Sequence, residues 1–436
     1  MGKILKILRN IVPRFLISGY HFLWAFFSAA FFGFPSKKIK VIGITGTSGK
    51  TTTIELTSRI LEEAGYKTAI LSSIKFRING KEKENKLRMT MPGRAIIQKF
   101  LAQAVRAGCD YAILEVTSEG VVQHRHRFID FEAGVFMNLS PEHIESHGSF
   151  ENYRKAKIRF FKKAKKIHIL NADDENIEHF SELLADKKYF YGIRDGEQGF
   201  KTKTQNIELV EAREYRSLPT GLRFYINNTE FNLSLLGKFN VYNALAGICV
   251  GLSQKVDLET CSKALEKVIG MPGRMELVIK EPFKVFVDYA ITPNALEQVY
   301  QIMSKFKLPS NGKPDSKMIC VLGSCGGGRD RWKRPILGKL AAKYCDKVII
   351  TNEDPYDEDP KQILLEIKSG IPNKEILMTS LILDRREAIK KALELARQGD
   401  VVIITGKGCE PSICLANNQK ILWDDREVVR QEFKKI

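Results

Sequence analysis

The chain has 436 residues, 44% of them hydrophobic and 28% charged. That is an ordinary globular balance, too long for one core, so two or three domains are expected. Lys and Arg number 69 against 51 Asp and Glu, a formal charge of +18, which favours anionic partners: nucleotides, nucleic acid or an anionic membrane face. No nucleic-acid recognition motif accompanies the charge, so no nucleic-acid partner is expected.

The first fourteen residues are basic, with Lys3, Lys6, Arg9 and Arg14. An uncharged run, FLISGYHFLWAFFSAAFFGF, follows from Phe15 to Phe34. It is long enough to cross a bilayer as a helix, and it ends in GFPSKK rather than in a small-residue cleavage site. Three readings stand side by side: a membrane span, a helix lying in the membrane surface, or a helix packed on the protein's own core. Basic residues flank both ends, so the positive-inside rule sets no orientation.

KIKVIGIT (38–45) reads as a short strand, GTSGKTTT (46–53) as a loop, and IELTSRILEEAG as a helix. Strand, glycine loop and helix form the context a phosphate site needs. Gly46 and Gly49 let backbone amides approach phosphate oxygens, and Lys50 brings a point charge. Thr51 or Thr52 offers a hydroxyl to Mg²⁺, and the helix adds its N-terminal dipole. The generic phosphate-loop pattern needs a glycine at position 44, which is Ile44. What fits is the compact GTxGKTT form.

That form resembles the Mur ligases and their relatives, the folylpolyglutamate synthetases. The resemblance continues from about Lys38 to the C-terminus and is closest to the muramoyl-tripeptide synthetase (MurE) branch. It implies an ATP-dependent ligase that joins an amino acid to the carboxylate of a muramoyl peptide precursor, with ATP and Mg²⁺. ATP contacts are then expected from Gly46, Thr47, Gly49, Lys50, Thr51 and Thr52. The branch also carries a UDP-binding domain before the phosphate loop, where this sequence has only the apolar segment. UDP recognition is then lost or made differently, or the acceptor is lipid-linked.

YAILEV (111–116) is a buried-strand pattern with one charge, Glu115. A lone carboxylate there needs a partner, and in a nucleotide enzyme Mg²⁺ is a natural one. LSPEHIESHGSFENYRKAK (139–157) resembles the family's acidic-His, HG and YxxAK series. By that resemblance His143 meets a second metal ion and Lys157 carries a carbamate, so that Thr51, Glu115, His143 and Lys157 form the metal set. Lys50, His143 and Lys157 are the implied catalytic residues. NADD (171–174) is expected to shape the nucleotide side of the pocket.

Residues 200–236 read as β-rich, with a hairpin turn at Asn227-Asn228. GKFNVYNALAGICVGL (237–252) is helical from Val241. It resembles the family's GxxNxxNxxAA motif, which places Asn240 and Asn243 against the adenine. GMPGRMELV (270–278) resembles the PGR-ME signature, with Arg274 reaching ATP. Beyond it, VFVDY, MICVLG, KVIIT and DVVIIT alternate with helical stretches, the pattern of a doubly wound parallel sheet with functional groups at the strand ends.

Each of those strand ends matches a family position. Asp288 would meet the ATP ribose or its metal; the family's His three residues later is Ile291 here. Arg329, in GSCGGGRDRWKRP (323–335), would hold the incoming amino acid's carboxylate through its bidentate fork. The selecting segment, DNPR in diaminopimelate enzymes, matches Glu353, Asp354, Pro355 and Tyr356, so its arginine is missing. Gly406 and Glu410 lie in GKGCE, where Cys409 replaces the family's His. Lysine, diaminopimelate or another diamino acid is therefore compatible. Asp354, Tyr356, Gly406 and Glu410 join Arg329 as implied substrate contacts.

The eight cysteines include no CxxC pair. Cys109, Cys249 and Cys320 lie in apolar runs and read as buried free thiols, suited to a reducing cytosol. The expected architecture is α/β: a P-loop-type central ATPase domain (38–273) and a Rossmann-like C-terminal amino-acid-binding domain (274–436). A hydrophobic helix within 1–37 precedes them and is expected to touch a membrane surface through residues 15–34, which places the enzyme in the cytoplasm at the membrane's inner face. The alternatives are a related ligase with another acceptor, or an ATP-binding regulator without catalysis.

Overall fold

The computed structural model describes residues 13–85, 87, 89–194, 207–307, 316–373 and 378–436. Lys3, Lys6 and Arg9, and residues 200–206 of the β-rich stretch, lie outside the described residues. The chain is α/β and divides into two units. The first comprises residues 1–141, 150–233 and 238–268; the second comprises 142–149, 234–237 and 269–436.

The first unit is built on eleven strands: β1 (Lys40–Thr45), β2 (Thr68–Leu71), β3 (Lys75–Ile78), β4 (Lys81–Glu84), β5 (Tyr111–Glu115), β6 (Phe131–Phe136), β7 (Ile167–Asn171), β8 (Lys187–Ile193), β9 (Ile207–Leu218), β10 (Gly221–Ile226) and β11 (Thr229–Leu233). Their order is β11-β10-β9-β8-β7-β6-β1-β5-β2-β3-β4. β2, β5, β1, β6, β7, β8 and β9 run parallel, and the two hairpins at the edges are antiparallel. The central strands are buried on both faces, which is why they read as unbroken apolar runs rather than alternating ones. Gly43 in β1 has a packing reason: a Cβ there would come within 2.6 Å of the Phe160 ring and 2.9 Å of Phe131.

Chain order reverses at β1, since β5 and β2 lie on one side and β6 to β9 on the other. A parallel sheet opens a crevice at the carboxyl ends of its strands at such a point. The loop after β1 sits there, followed by the helix Lys50–Glu63. Helix Lys238–Ser253 packs against Lys50–Glu63 and is mostly buried. It starts three residues before the expected Val241. The turn at Asn227-Asn228 joins β10 to β11, with Ile226 paired to Thr229.

The second unit carries a six-stranded sheet: β12 (Glu276–Ile279), β13 (Lys284–Asp288), β14 (Met318–Leu322), β15 (Lys347–Ile350), β16 (Thr379–Leu381) and β17 (Val401–Thr405). The order is β12-β13-β17-β14-β15-β16, with only β12 antiparallel. Val285, Val287, Ile319, Val321, Ile349, Val402 and Ile404 form one side of its core with Ile389 and Leu393.

Cys320, read as a free thiol, is joined to Cys345 in a disulfide, with Cα atoms 6.1 Å apart. Cys320 lies within β14 and Cys345 just before β15, its parallel neighbour. Adjacency across a sheet is invisible in a separation of 25 residues. Cys109 and Cys249 are buried free thiols, as expected.

Candidate active site

In the first unit, the loop after β1 is held from several sides. The backbone N–H groups of Thr47 and Ser48 donate to Asn138 Oδ1 at 3.0 and 2.9 Å. Thr47 Oγ1 lies 3.0 Å from the Tyr153 hydroxyl. Gly49 caps the helix with φ +86°, a left-handed conformation that disfavours any side chain. A Cβ there would also stand 2.3 Å from Asn243 Oδ1. Asn243 in turn donates to Asn240 Oδ1 at 2.8 Å, so both asparagines lie beside the loop. Lys50 folds back over the loop, donating to the carbonyls of Gly46 and Thr47 at 3.0 Å. Thr51 and Thr52 are buried in the first helical turn.

Glu115, at the end of β5, is 2% exposed. Its Oε2 accepts from Thr51 Oγ1 at 3.2 Å and from the Ser73 amide and hydroxyl at 2.9 and 3.0 Å. Lys50 Nζ stands 4.0 Å from its Oε1. Lys157, on the helix Phe150–Phe161, is also 2% exposed. Its Nζ donates to Gly46 O at 3.0 Å and lies 4.8 Å from the Tyr153 ring centroid. Burial, reinforced by the Lys50 charge, pushes the Lys157 amine well below the ordinary lysine range.

The donors gathered here are hard oxygens from Thr51 and Glu115, the kind Mg²⁺ takes, and a carbamate on Lys157 would add two more. Among the described residues, no cluster of three or more His, Cys, Asp or Glu side chains gathers as a metal site. His143 belongs to the second unit, where it precedes the helix Ile144–His147 with φ +58°. Asn171 and Asp174 brace the neighbouring loop, donating to Met137 O and accepting from Leu139 N, both at 2.8 Å.

In the second unit, the expected residues collect at the carboxyl edge of the sheet. Asp288 ends β13, is 7% exposed and accepts from Met275 N at 2.7 Å. Burial raises its carboxyl above the usual range, and the nearby Arg274 opposes this. Arg274 stacks on Tyr289, its guanidinium 4.3 Å from the ring centroid. Arg329 is exposed in the loop after β14. Tyr356, at φ +52°, packs on Gly327, where a Cβ would come within 2.6 Å of its ring.

Lys407 organises this edge, and the motif reading missed it. The side chain is fully buried and donates to both carboxylate oxygens of Asp354 at 3.0 Å and to Glu410. Glu410 also accepts from the Tyr289 hydroxyl at 3.1 Å. Glu353 is buried beside Gly406; its Oε1 accepts from the Cys325 thiol at 2.8 Å, and burial raises its carboxyl. Deeper, Arg385 and Asp425 form a buried pair at 2.7 Å. The signal for Lys407 was its place inside GKGCE, directly after an apolar strand, with an acidic run elsewhere.

Two family models match the chain: the Mur ligase middle domain over residues 44–251, and the Mur ligase glutamate ligase domain over 273–408. The chain is 38% identical over 412 residues to a UDP-N-acetylmuramoyl-L-alanyl-D-glutamate--2,6-diaminopimelate ligase of Syntrophomonas wolfei, covering 93% of this chain and 81% of that protein. It is 35% identical to a UDP-N-acetylmuramyl-tripeptide synthetase of Roseiflexus, with 98% and 84% covered. A solved diaminopimelate ligase of the same description superposes with TM-score 0.58 at 29% identity, covering 91% of this chain and 78% of that one. The Mycobacterium tuberculosis folylpolyglutamate synthase, solved with ADP and AMPPCP, shares the fold with TM-score 0.67 at 16% identity, covering 87% and 91%.

Proposed function

Because this chain belongs to the Mur ligase family and is an ATP-dependent ligase of peptidoglycan synthesis, we propose that it adds a diamino acid to a muramoyl-L-alanyl-D-glutamate-type precursor. The observation that carries the reading is the joint placement of Lys50, Glu115 and Lys157 around one glycine loop. The acidic edge of the second unit, with Glu353, Asp354 and Glu410, supports an amino acid that brings a second amine.

A carboxylate does not acylate an amine at neutral pH. The γ-phosphoryl group of ATP passes to the precursor carboxylate, giving an acyl phosphate and ADP; the amine then attacks and phosphate leaves. Thr51, Glu115 and a carbamate on Lys157 would hold Mg²⁺, with His143 as the candidate ligand of a second ion, and the metal would supply positive charge near the transferring phosphoryl group. Lys50 shifts from its own loop carbonyls to the phosphates. The loop amides of Gly46, Thr47 and Gly49 cradle them, with Thr52 at the helix start. Asn240 and Asn243 read the adenine, while Arg274 and Asp288 reach the rest of the nucleotide. Arg329 holds the amino acid's carboxylate, and Asp354, Tyr356, Gly406 and Glu410 shape its side-chain pocket. Lys157 becomes a ligand by losing a proton and bonding to CO₂, which needs the neutral amine that burial favours.

The test is phosphate release by purified protein with ATP and Mg²⁺, using UDP-linked and lipid-linked muramoyl dipeptides, each with lysine or diaminopimelate. Release requiring one acceptor and one amino acid supports the reading. ATP binding without stimulation by any pair would contradict it.

A further inference from the structure

Helix Arg14–Phe31 has two unlike faces. Ser18, Phe22, Ala25, Ser28 and Ala29 turn toward the first unit. Ala25 and Ala29 are fully buried there, Ser18 Oγ lies 2.8 Å from His124 Nε2, and Phe22 and Phe26 meet the Phe128 ring edge-on at 5.2 and 5.4 Å. The helix also packs on Arg94–Arg106. The other face carries Leu16, Tyr20, Leu23, Trp24, Phe27 and Phe31, each more than half exposed. Their spacing of three and four residues makes one unbroken apolar stripe, roughly 23 Å long at 1.5 Å per residue. A stripe so long and so aromatic is not the scattered exposure of an ordinary surface.

Charge says what covers it. The first acidic residue of the chain is Glu55, and before it come Lys3, Lys6, Arg9, Arg14, Lys37, Lys38, Lys40 and Lys50. Lys37 and Lys38 are exposed just past the helix, and Arg127 is exposed beside His124. Trp and Tyr within an apolar stripe, with basic residues at its ends, match the interface of an anionic bilayer. A second copy docked through this face would bring two basic rims together, which charge repulsion opposes.

We propose that this helix lies in the surface of an anionic lipid membrane, its stripe inserted among the acyl chains of one leaflet and its other face kept on the first unit. Among the described residues, no helix is long and apolar enough to cross a membrane. A span would also strip Ala25, Ala29 and the Ser18–His124 bond from their partners. The inference is independent of the ligase chemistry.

Flotation of the full chain with phosphatidylcholine vesicles, with and without phosphatidylglycerol, tests it. The protein floats with phosphatidylglycerol vesicles, less so at high salt, and alkaline carbonate releases it. Replacing Trp24→Glu and Phe27→Glu together lowers the bound fraction about tenfold or more, since both rings lose their apolar burial. Thermal unfolding of that variant matches the parent. Three results would overturn the proposal: no flotation with phosphatidylglycerol vesicles at low salt, flotation untouched by W24E/F27E, or retention through carbonate. A dimer that W24E/F27E converts to monomer, with no vesicle binding, would instead make the stripe an interface between copies.

Discussion

Lys157 Nζ lies 3.0 Å from the carbonyl oxygen of Gly46, so a fully buried lysine touches the first glycine of the phosphate loop. An ammonium is costly in that position, and the neutral amine is the form that attacks CO₂. Lys157→Ala is therefore expected to lower kcat by about 10³-fold. Lys157→Arg retains the charge but cannot become an oxygen ligand, and it should be as inactive. Stripping CO₂ from the buffer should slow the parent, with bicarbonate restoring it. Initial rates of phosphate release check all three. As pH falls through the lowered pKa of Lys157, its amine protonates and can no longer form a carbamate, so activity is expected to decline on the acid side.

Gly49→Ala places a Cβ 2.3 Å from Asn243 Oδ1 at a backbone φ of +86°. Strain of about 1–3 kcal/mol falls on the nucleotide loop itself. ATP affinity, measured by calorimetry, should fall about tenfold or more, because 1.4 kcal/mol is a factor of ten. Unchanged affinity would mean that the loop does not hold the phosphates.

Lys407 balances two carboxylates, the buried Asp354 and the partly exposed Glu410. Lys407→Met leaves Asp354 and Glu410 without their cation, which should destabilise the second unit by about 3–5 kcal/mol. Thermal unfolding should show this, and Asp354→Asn in the same chain should recover part of the loss. Equal melting of parent and Lys407→Met would contradict the burial described.

His168 is fully buried, and burial lowers its pKa to about 4. Its folded value lies below the unfolded one, so the unfolded chain binds more protons as the solution is acidified. Its contribution to stability is intact above about pH 6.5 and is lost as pH falls toward 4, amounting to about 3 kcal/mol. Denaturant titrations at neutral and acid pH should show a smaller acid loss in His168→Phe. Equal losses in parent and variant would contradict this.

Much of this was legible because parallel strands buried on both faces leave unbroken apolar runs. KVIGIT, YAILEV, VFVDY and DVVIIT could be located from composition alone, and the residues just after them fell at the strand ends. Motif spacing placed Gly49 at the loop because a glycine turn is a local event, although the helix begins at Lys50, four residues before the expected Ile54. Long-range partnerships were hidden. Cys320 meets Cys345 because β14 and β15 are neighbours in the sheet, and Lys407 meets Asp354 because the loops after β17 and β15 meet at its carboxyl edge, across β14. The two faces of the helix after Pro13 were equally hidden: its sequence is apolar all round, and only contact with Phe128 and His124 separates them.

The proposed reaction turns on an acyl phosphate formed on the precursor's carboxylate. A precursor labelled with ¹⁸O in that carboxylate tests it directly, by mass spectrometry of the phosphate released during one turnover. One ¹⁸O atom is expected in the phosphate for each amide bond formed. Amide formation with unlabelled phosphate would contradict it.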